Sequence, residues 1–168
     1  MTDSIQGMIR ELEQEAVSTR RLLSLIPEEK LNWAPHPKSM SLGQLAFHVA
    51  SLPGGVANML LMDGFDALKA KFDPSHPESK EQILSTLETG LERAKQVLGD
   101  WDHQKATSPW RLSKGEDEVF TMPRSGVART VLLNHWYHHR GQLTVYLRLL
   151  DVPLPVTYGR SADENPFA

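Results

Sequence analysis

Apolar residues recur at Ile5, Met8, Ile9, Leu12, Ala16, Leu22, Leu23 and Ile26, the spacing of one helix face, and Pro27 closes the run. The pattern predicts a first helix from Asp3 to Ile26. The next stretch, PEEKLNWAPHPKSM, carries three prolines and reads as an ordered loop with Trp33 turned inward. Ser41 and Gln44 have the spacing of a capping box, and Leu42, Leu45, Val49, Leu52, Val56, Met59 and Leu60 sustain a second helix to about Met62. Pro53-Gly54-Gly55 interrupts it and predicts a kink, because proline removes a backbone hydrogen bond and presses on the preceding turn.

Residues 63–77, with Gly64, Pro74 and Pro77, lead to a second capping box at Ser79 and Gln82. It opens a third helix whose stripe is Ile83, Leu84, Leu87, Leu91, Ala94, Val97, Leu98 and Trp101. Between Asp102 and Arg124 the segment WRLSKGEDEVFTM reads as a short hairpin around Lys114-Gly115. Pro123 suits the first turn of a fourth helix reaching about Leu150, where Asp151-Val152-Pro153 stops it. The remaining LPVTYGRSADENPFA has no period and predicts a strap across the helices. Four amphipathic helices with one longer crossover and an irregular C-terminal tail predict an all-α four-helix bundle, and 168 residues suit a single domain over 1–168.

Composition narrows the chemistry. With 18 basic and 21 acidic residues the formal charge is −3, which leaves no basic excess for phosphate and argues against nucleic acid as a partner. The absence of cysteine excludes disulfides, thiolate metal ligands and a protein thiol nucleophile, so any metal must be held by His, Asp or Glu. The amphipathic, acidic N-terminus and the lack of a long uncharged apolar run predict a cytoplasmic protein with no membrane partner.

Within NHWYHHRGQ, His135, His138 and His139 crowd one turn of the fourth helix, and His48 sits on the apolar stripe of the second. At about 100° per residue, His139 lies about 40° from His135, and both fall among Ala128, Val131, Leu132, Leu143 and Tyr146 on the predicted buried face. His138 falls on its edge. Arg129, Tyr137, Arg140, Thr144 and Arg148 fall on the opposite side.

An imidazole in a core has one donor and one acceptor nitrogen to satisfy, and leaving either unpaired costs about 1–3 kcal/mol. A divalent ion satisfies three acceptors at once and keeps a fourth position open, the pattern of catalytic zinc sites. Hydrogen-bonded core histidines explain a His-x-x-x-His pair equally well, so spacing alone leaves both readings open. Gln142 is similarly either a hydrogen-bond partner of a ligand ring or a satisfied core amide. His36, His76 and His103 fall in loops or at helix ends and are assigned no role. Trp33, Trp101, Trp110 and Trp136 read as packing residues. No Glu-x-x-His, His-Glu-x-x-His, EF-hand or phosphate loop is present.

Trp33 ahead of the second helix, SLGQLAFHVA, and HWYHHRGQLTVYLRLL followed by a PxP and YGRSADE tail together resemble the DinB/YfiT-like superfamily of metal-binding four-helix bundles. The resemblance covers nearly the whole chain. It implies that His48, His135 and His139 are metal ligands, for zinc, nickel, iron or manganese. The Pro53-Gly54-Gly55 break is a departure that bears on the pocket beside the metal.

Relatives of this kind include transferases and isomerases dependent on bacillithiol or mycothiol, and metal-dependent hydrolases. The resemblance therefore implies a metal-dependent enzyme acting on a small-molecule substrate, with a low-molecular-weight thiol as the sulfur source, and a homodimer. Arg124, Arg129 and Arg140 are candidates for holding substrate carboxylates, against the simpler role of a solvated face. A hydrolase using activated water is the alternative, in which Glu116, Asp117 or Glu118 would serve as base if their loop folded over the bundle mouth. A non-catalytic metal or small-ligand binding module is the third reading.

Overall fold

The computed structural model describes residues 2–69 and 76–167. Helix α1 (Thr2–Ser24) is followed by α2 (Leu42–Met59), strand β1 (Gly64–Asp66), α3 (Lys80–Gly99), the short α4 (His103–Thr107), and strands β2 (Pro109–Lys114) and β3 (Asp117–Pro123). The last rod changes register twice: α5 (Arg124–Val127) passes into a π-helical stretch, Ala128–Asn134, and then into α6 (His135–Leu149). The fold is mostly α, as the periodicity predicts, with a small sheet at one end. Residues 70–75 of the expected connection, including Pro74, lie outside the described residues.

The apolar stripes become the core. Leu12, Leu22 and Leu23 of α1, Leu45, Val49 and Ala57 of α2, Ile83, Leu87 and Ala94 of α3, and Leu132, Trp136 and Leu143 of the last rod are all buried. The capping box at α2 forms: Gln44 N donates to Ser41 Oγ at 3.2 Å and Ser41 N donates to Gln44 Oε1 at 2.8 Å. At α3 only half of it forms. Ser79 Oγ accepts from Gln82 N at 3.1 Å, but Gln82 Oε1 turns to Glu78 N at 2.8 Å. The proline loop is pinned to α2 by Leu42 N on the Trp33 carbonyl and Gly43 N on the Leu31 carbonyl, at 2.7 and 2.8 Å. Trp33 turns inward as expected and meets Tyr146 edge-on, with ring centroids 5.9 Å apart.

Helix α2 runs through Pro53. Proline has no N–H for the Val49 carbonyl four residues back, and the Trp136 indole takes that acceptor instead at 2.9 Å. Gly54 marks the crossing with α3: a Cβ there would stand 2.8 Å from Gly90 Cα. That crossing lies about 120° around α2 from His48. Gly54 therefore serves the packing on α3, whereas Pro53 acts toward the last rod, through the Val49 carbonyl that it leaves to Trp136.

The expected hairpin forms and gains a third strand. β2 pairs antiparallel with β3, and β1 adds in parallel beside β2, with Phe65 opposite Leu112. Gly115 turns the hairpin at φ 66°, a left-handed value that favours glycine. Trp110 is buried beneath the sheet and its indole donates to the Met59 carbonyl at 3.4 Å. The C-terminal tail straps back through Arg148 to Asp163, Arg21 to Glu164 at 2.7 Å, and Tyr158 OH to Glu15 at 2.9 Å. Among the described residues no helix is long and apolar enough to cross a membrane.

Candidate metal centre

His48 comes from α2, and His135 and His139 come from the first two turns of α6. One ring nitrogen from each lies within 4.8 Å of the other two. Ring centroids are 5.5 Å apart for His48 and His135, 4.4 Å for His48 and His139, and 4.5 Å for His135 and His139. All three rings are half-buried. The i, i+4 spacing stacks the α6 pair on one face, and the Trp136 indole bond to Val49 ties α6 to α2 within one residue of each helix's ligand candidates.

The ring nitrogens of the α6 pair face defined neighbours. His139 Nδ1 donates to Gln142 Oε1 at 2.8 Å. The other nitrogens of the α6 pair, Nε2 of His135 and Nε2 of His139, face each other at 2.7 Å. With the Nε2 of His135 at His139, its Nδ1 is the nitrogen left to face the Val131 carbonyl, which opposes the lowering of the ring's pKa.

A ring that donates from Nδ1 presents a lone pair at Nε2 in its neutral form. The partners of His135 and His139 thus aim two lone pairs at one point beside His48. Such a donor set fits a divalent cation, which accepts both lone pairs at once, whereas without one the two facing nitrogens need a proton between them.

The electrostatics agree with neutral ligands. Burial, reinforced by His139 and His135, pushes the His48 pKa from 6.5 down to about 4. Burial also lowers His135 and His139, with His139 acting against the first and His138 against the second. The Val131 carbonyl and the Gln142 side chain oppose part of those shifts.

His138 is exposed, its ring 4.9 Å from that of His139, and stands outside the trio. His36 only accepts from Lys38 N at 3.1 Å within its loop, whereas the amide of Gln44 donates to His76 Nε2 at 3.0 Å. Among the described residues no carboxylate joins the histidines. Glu116, Asp117 and Glu118 stay with the hairpin, where Arg111 pairs with Glu118 at 3.5 Å and donates to the Glu116 carbonyl at 3.3 Å. The sheet is anchored at Met59, about 16 Å along α2 from His48, so the loop does not fold over the site.

The arginines correct another expectation. Arg124 and Arg140 are 1% and 2% exposed and are fully engaged inside the protein. Arg124 donates to the carbonyls of Leu60, at 2.6 Å, and Met62, to Asp63 at 2.7 Å and to Ser108 Oγ at 3.1 Å, closing the end of α2. Arg140 pairs with Glu15 at 2.6 Å between the rings of Tyr137 and Tyr158. Arg129 forms a two-pronged pair with Glu11 at 2.7 and 2.8 Å, and Tyr137 OH donates to the same carboxylate at 2.9 Å. The side of α6 opposite the histidines is solvated only in part: α1 and the tail bury Arg140 and supply acidic partners to it, to Arg129 and to Arg148. Helical angles place a residue on a side but do not reveal which neighbour covers that side.

Comparison with known proteins agrees with this architecture. The chain is 24% identical over 166 residues to the uncharacterized protein YrdA of Bacillus subtilis (strain 168), covering 98% of this chain and 93% of the relative. Its fold is similar to that of a DinB-like protein from Bacillus cereus ATCC 10987, with TM-score 0.69, 23% identity, and 91% and 97% of the two chains covered. A second DinB-like protein, YjoA of Bacillus subtilis, aligns with TM-score 0.67 and 16% identity over 89% of this chain and 96% of its own. The DinB family profile matches residues 1–165, and the chain belongs to the DinB family.

Proposed function

We propose that the protein binds a divalent metal ion through His48, His135 and His139 and is a metal-dependent enzyme that transfers a small thiol to an electrophilic substrate. The convergence of three ring nitrogens within 4.8 Å, two of them lone pairs oriented by outer partners, carries the reading. Zinc, nickel, iron and manganese all accept such imidazole sites. When bound, the ion supplies Lewis acidity that makes a thiolate or hydroxide available at neutral pH. The protein's own residues hold the three donors neutral, through burial, and orient them through Gln142 and Val131. Lacking cysteine, the chain takes its sulfur from a separate low-molecular-weight thiol. The absence of any carboxylate from the histidine trio, among the described residues, favours a thiol over water, since water attack calls for a nearby base.

The test loads the purified protein with Zn²⁺, Ni²⁺ or Mn²⁺, measures bound metal by elemental analysis beside the His48/His135/His139 triple alanine variant, and then screens thiol conjugation of electrophiles. About one ion per chain is expected, absent from the triple variant. Equal metal content in both proteins removes the assigned site. Binding without thiol turnover above a His139→Ala control removes the transferase reading, and ester or amide hydrolysis in its place would establish the alternative chemistry.

A further inference from the structure

The last rod changes register immediately before the first of its two histidines. In a regular α-helix the backbone N–H of His135 would donate to the carbonyl of Val131, four residues back. Here it reaches Thr130 and Leu132, five and three residues back, and passes Val131 by. The Val131 carbonyl, left without that N–H, is the backbone acceptor that acts on the His135 ring. A π-turn is rare and is found mostly as a single-turn insertion in α-helices, often at functional sites. Its effect in this position is to exchange a main-chain hydrogen bond for one to a side chain.

We propose that the π-helical stretch Ala128–Asn134 is a positioning device for the site: by moving the His135 N–H off the Val131 carbonyl, it gives that carbonyl to the His135 ring and fixes the Nδ1–H tautomer, so that Nε2 presents its lone pair to His139 and His48. A carbonyl can only accept, so it admits one tautomer. The partner of His139 is different in kind. The Gln142 amide can turn over and present either its oxygen or its NH₂ group, so it positions the ring without dictating its tautomer. His135 is therefore the fixed member of the pair and His139 the adaptable one. With no ion bound, His139 is the ring that places a proton between the two Nε2 atoms, which stand 2.7 Å apart.

This inference deepens the metal-binding reading and rests on it for its purpose, but its central claim is tested without metal. ¹⁵N NMR of the metal-free protein at pH 8 reads the ring tautomers directly. His135 is expected as Nδ1–H in the wild-type chain, and an Nε2–H tautomer at His135 overturns the proposal whatever the protein binds. Deleting the exposed Thr130, or alternatively the exposed Asn134, removes the extra residue of the π-turn and returns the rod to α register. Either deletion variant is expected to keep the helical circular dichroism, to lose the uniform Nδ1–H tautomer at His135, and to bind Zn²⁺ about 10–100-fold more weakly in competition with a chromophoric chelator. A folded deletion variant with unchanged tautomer and unchanged affinity refutes the device. If the wild-type chain binds no ion but holds His135 as Nδ1–H, the metal reading fails while the orienting role of Val131 stands.

Discussion

The two sides of α2 are built differently. Toward α3 it presents small and aliphatic residues to a helix that runs in regular α geometry from its Ser79 cap to Gly99, and the two backbones nearly touch at Gly54 and Gly90. Toward the last rod both partners are irregular. Pro53 frees the Val49 carbonyl for the Trp136 indole, and the π-stretch frees the Val131 carbonyl for the His135 ring. Regular packing on one side supplies cohesion, whereas the released backbone acceptors on the other orient polar side chains to specific points. Of the metal-ligand candidates, all on the second side, His135 is the one that draws on such a released acceptor.

If that division holds, perturbing an orienting partner should affect metal binding, and perturbing the regular seam should affect only stability. The largest effect is expected at Gln142. Gln142→Leu removes the acceptor from His139 Nδ1 and should weaken Zn²⁺ binding about 10–100-fold, while Gln142→Glu keeps an acceptor and should retain wild-type affinity or better. Because Gln142 is exposed, neither change should shift the urea midpoint much, and a variant that loses stability and affinity together would contradict a purely orienting role. The seam should respond the other way. Gly54→Ala forces a methyl to within 2.8 Å of Gly90 Cα and is expected to cost about 1–3 kcal/mol. Its neighbour Gly55 has open space around the same position, so Gly55→Ala should gain about 0.5–1 kcal/mol from helix propensity. Urea denaturation measures both, and chelator competition should find metal affinity unaltered in either.

Much of the fold follows from spacing in the sequence, and the exceptions share a physical cause. The helix stripes, the Ser41 cap and the hairpin are set by neighbours within a few residues, so periodicity and turn chemistry disclose them. Strand β1 pairs in parallel with residues more than forty positions away, and α4 is too short to show a period. Arg140 looked solvent-facing because its acidic partner, Glu15, arrives from α1. The histidine trio was visible as residue types on two apolar faces, and its members do meet. What residue types could not disclose is the π-turn, which reassigns the carbonyl that each N–H finds.

The exchange of partners at Pro53 can be tested as a coupled pair. Trp136→Phe deletes the indole donor and leaves the Val49 carbonyl buried with no N–H from residue 53 to take its place, a loss of about 1–3 kcal/mol. Pro53→Ala restores a backbone N–H at that position. In the double variant Val49 regains a partner, so the cost of Trp136→Phe should be smaller in the Pro53→Ala background than in the wild type. A coupling energy of about 1 kcal/mol in a double-mutant cycle is the expected result. Strict additivity would mean that the indole bond does not compensate for the proline.

The smallest expected effect separates the two sides by pH alone. The folded-state pKa of each of the three imidazoles lies below 6.5, that of His48 at about 4, so the unfolded chain binds protons that the folded one refuses. Stability without metal is therefore constant above the unfolded histidine value and declines as pH falls from about 6.5 toward 4. The carboxylates behave in a lower range. Arg20 holds Glu88 below its ordinary 4.5 at the α1–α3 seam, and Arg129 does the same for Glu11, so their contributions survive until pH drops through that region. Between pH 6.5 and 4.5 the loss should belong to the histidine side, and the triple alanine variant should show a flatter urea-midpoint profile there than the wild-type chain. Saturating Zn²⁺ should make the wild-type decline steeper, because each proton that enters a ring must also displace the ion. A profile that is the same in both proteins would place the acid sensitivity elsewhere and leave the three rings without the desolvation that keeps them ready as neutral ligands.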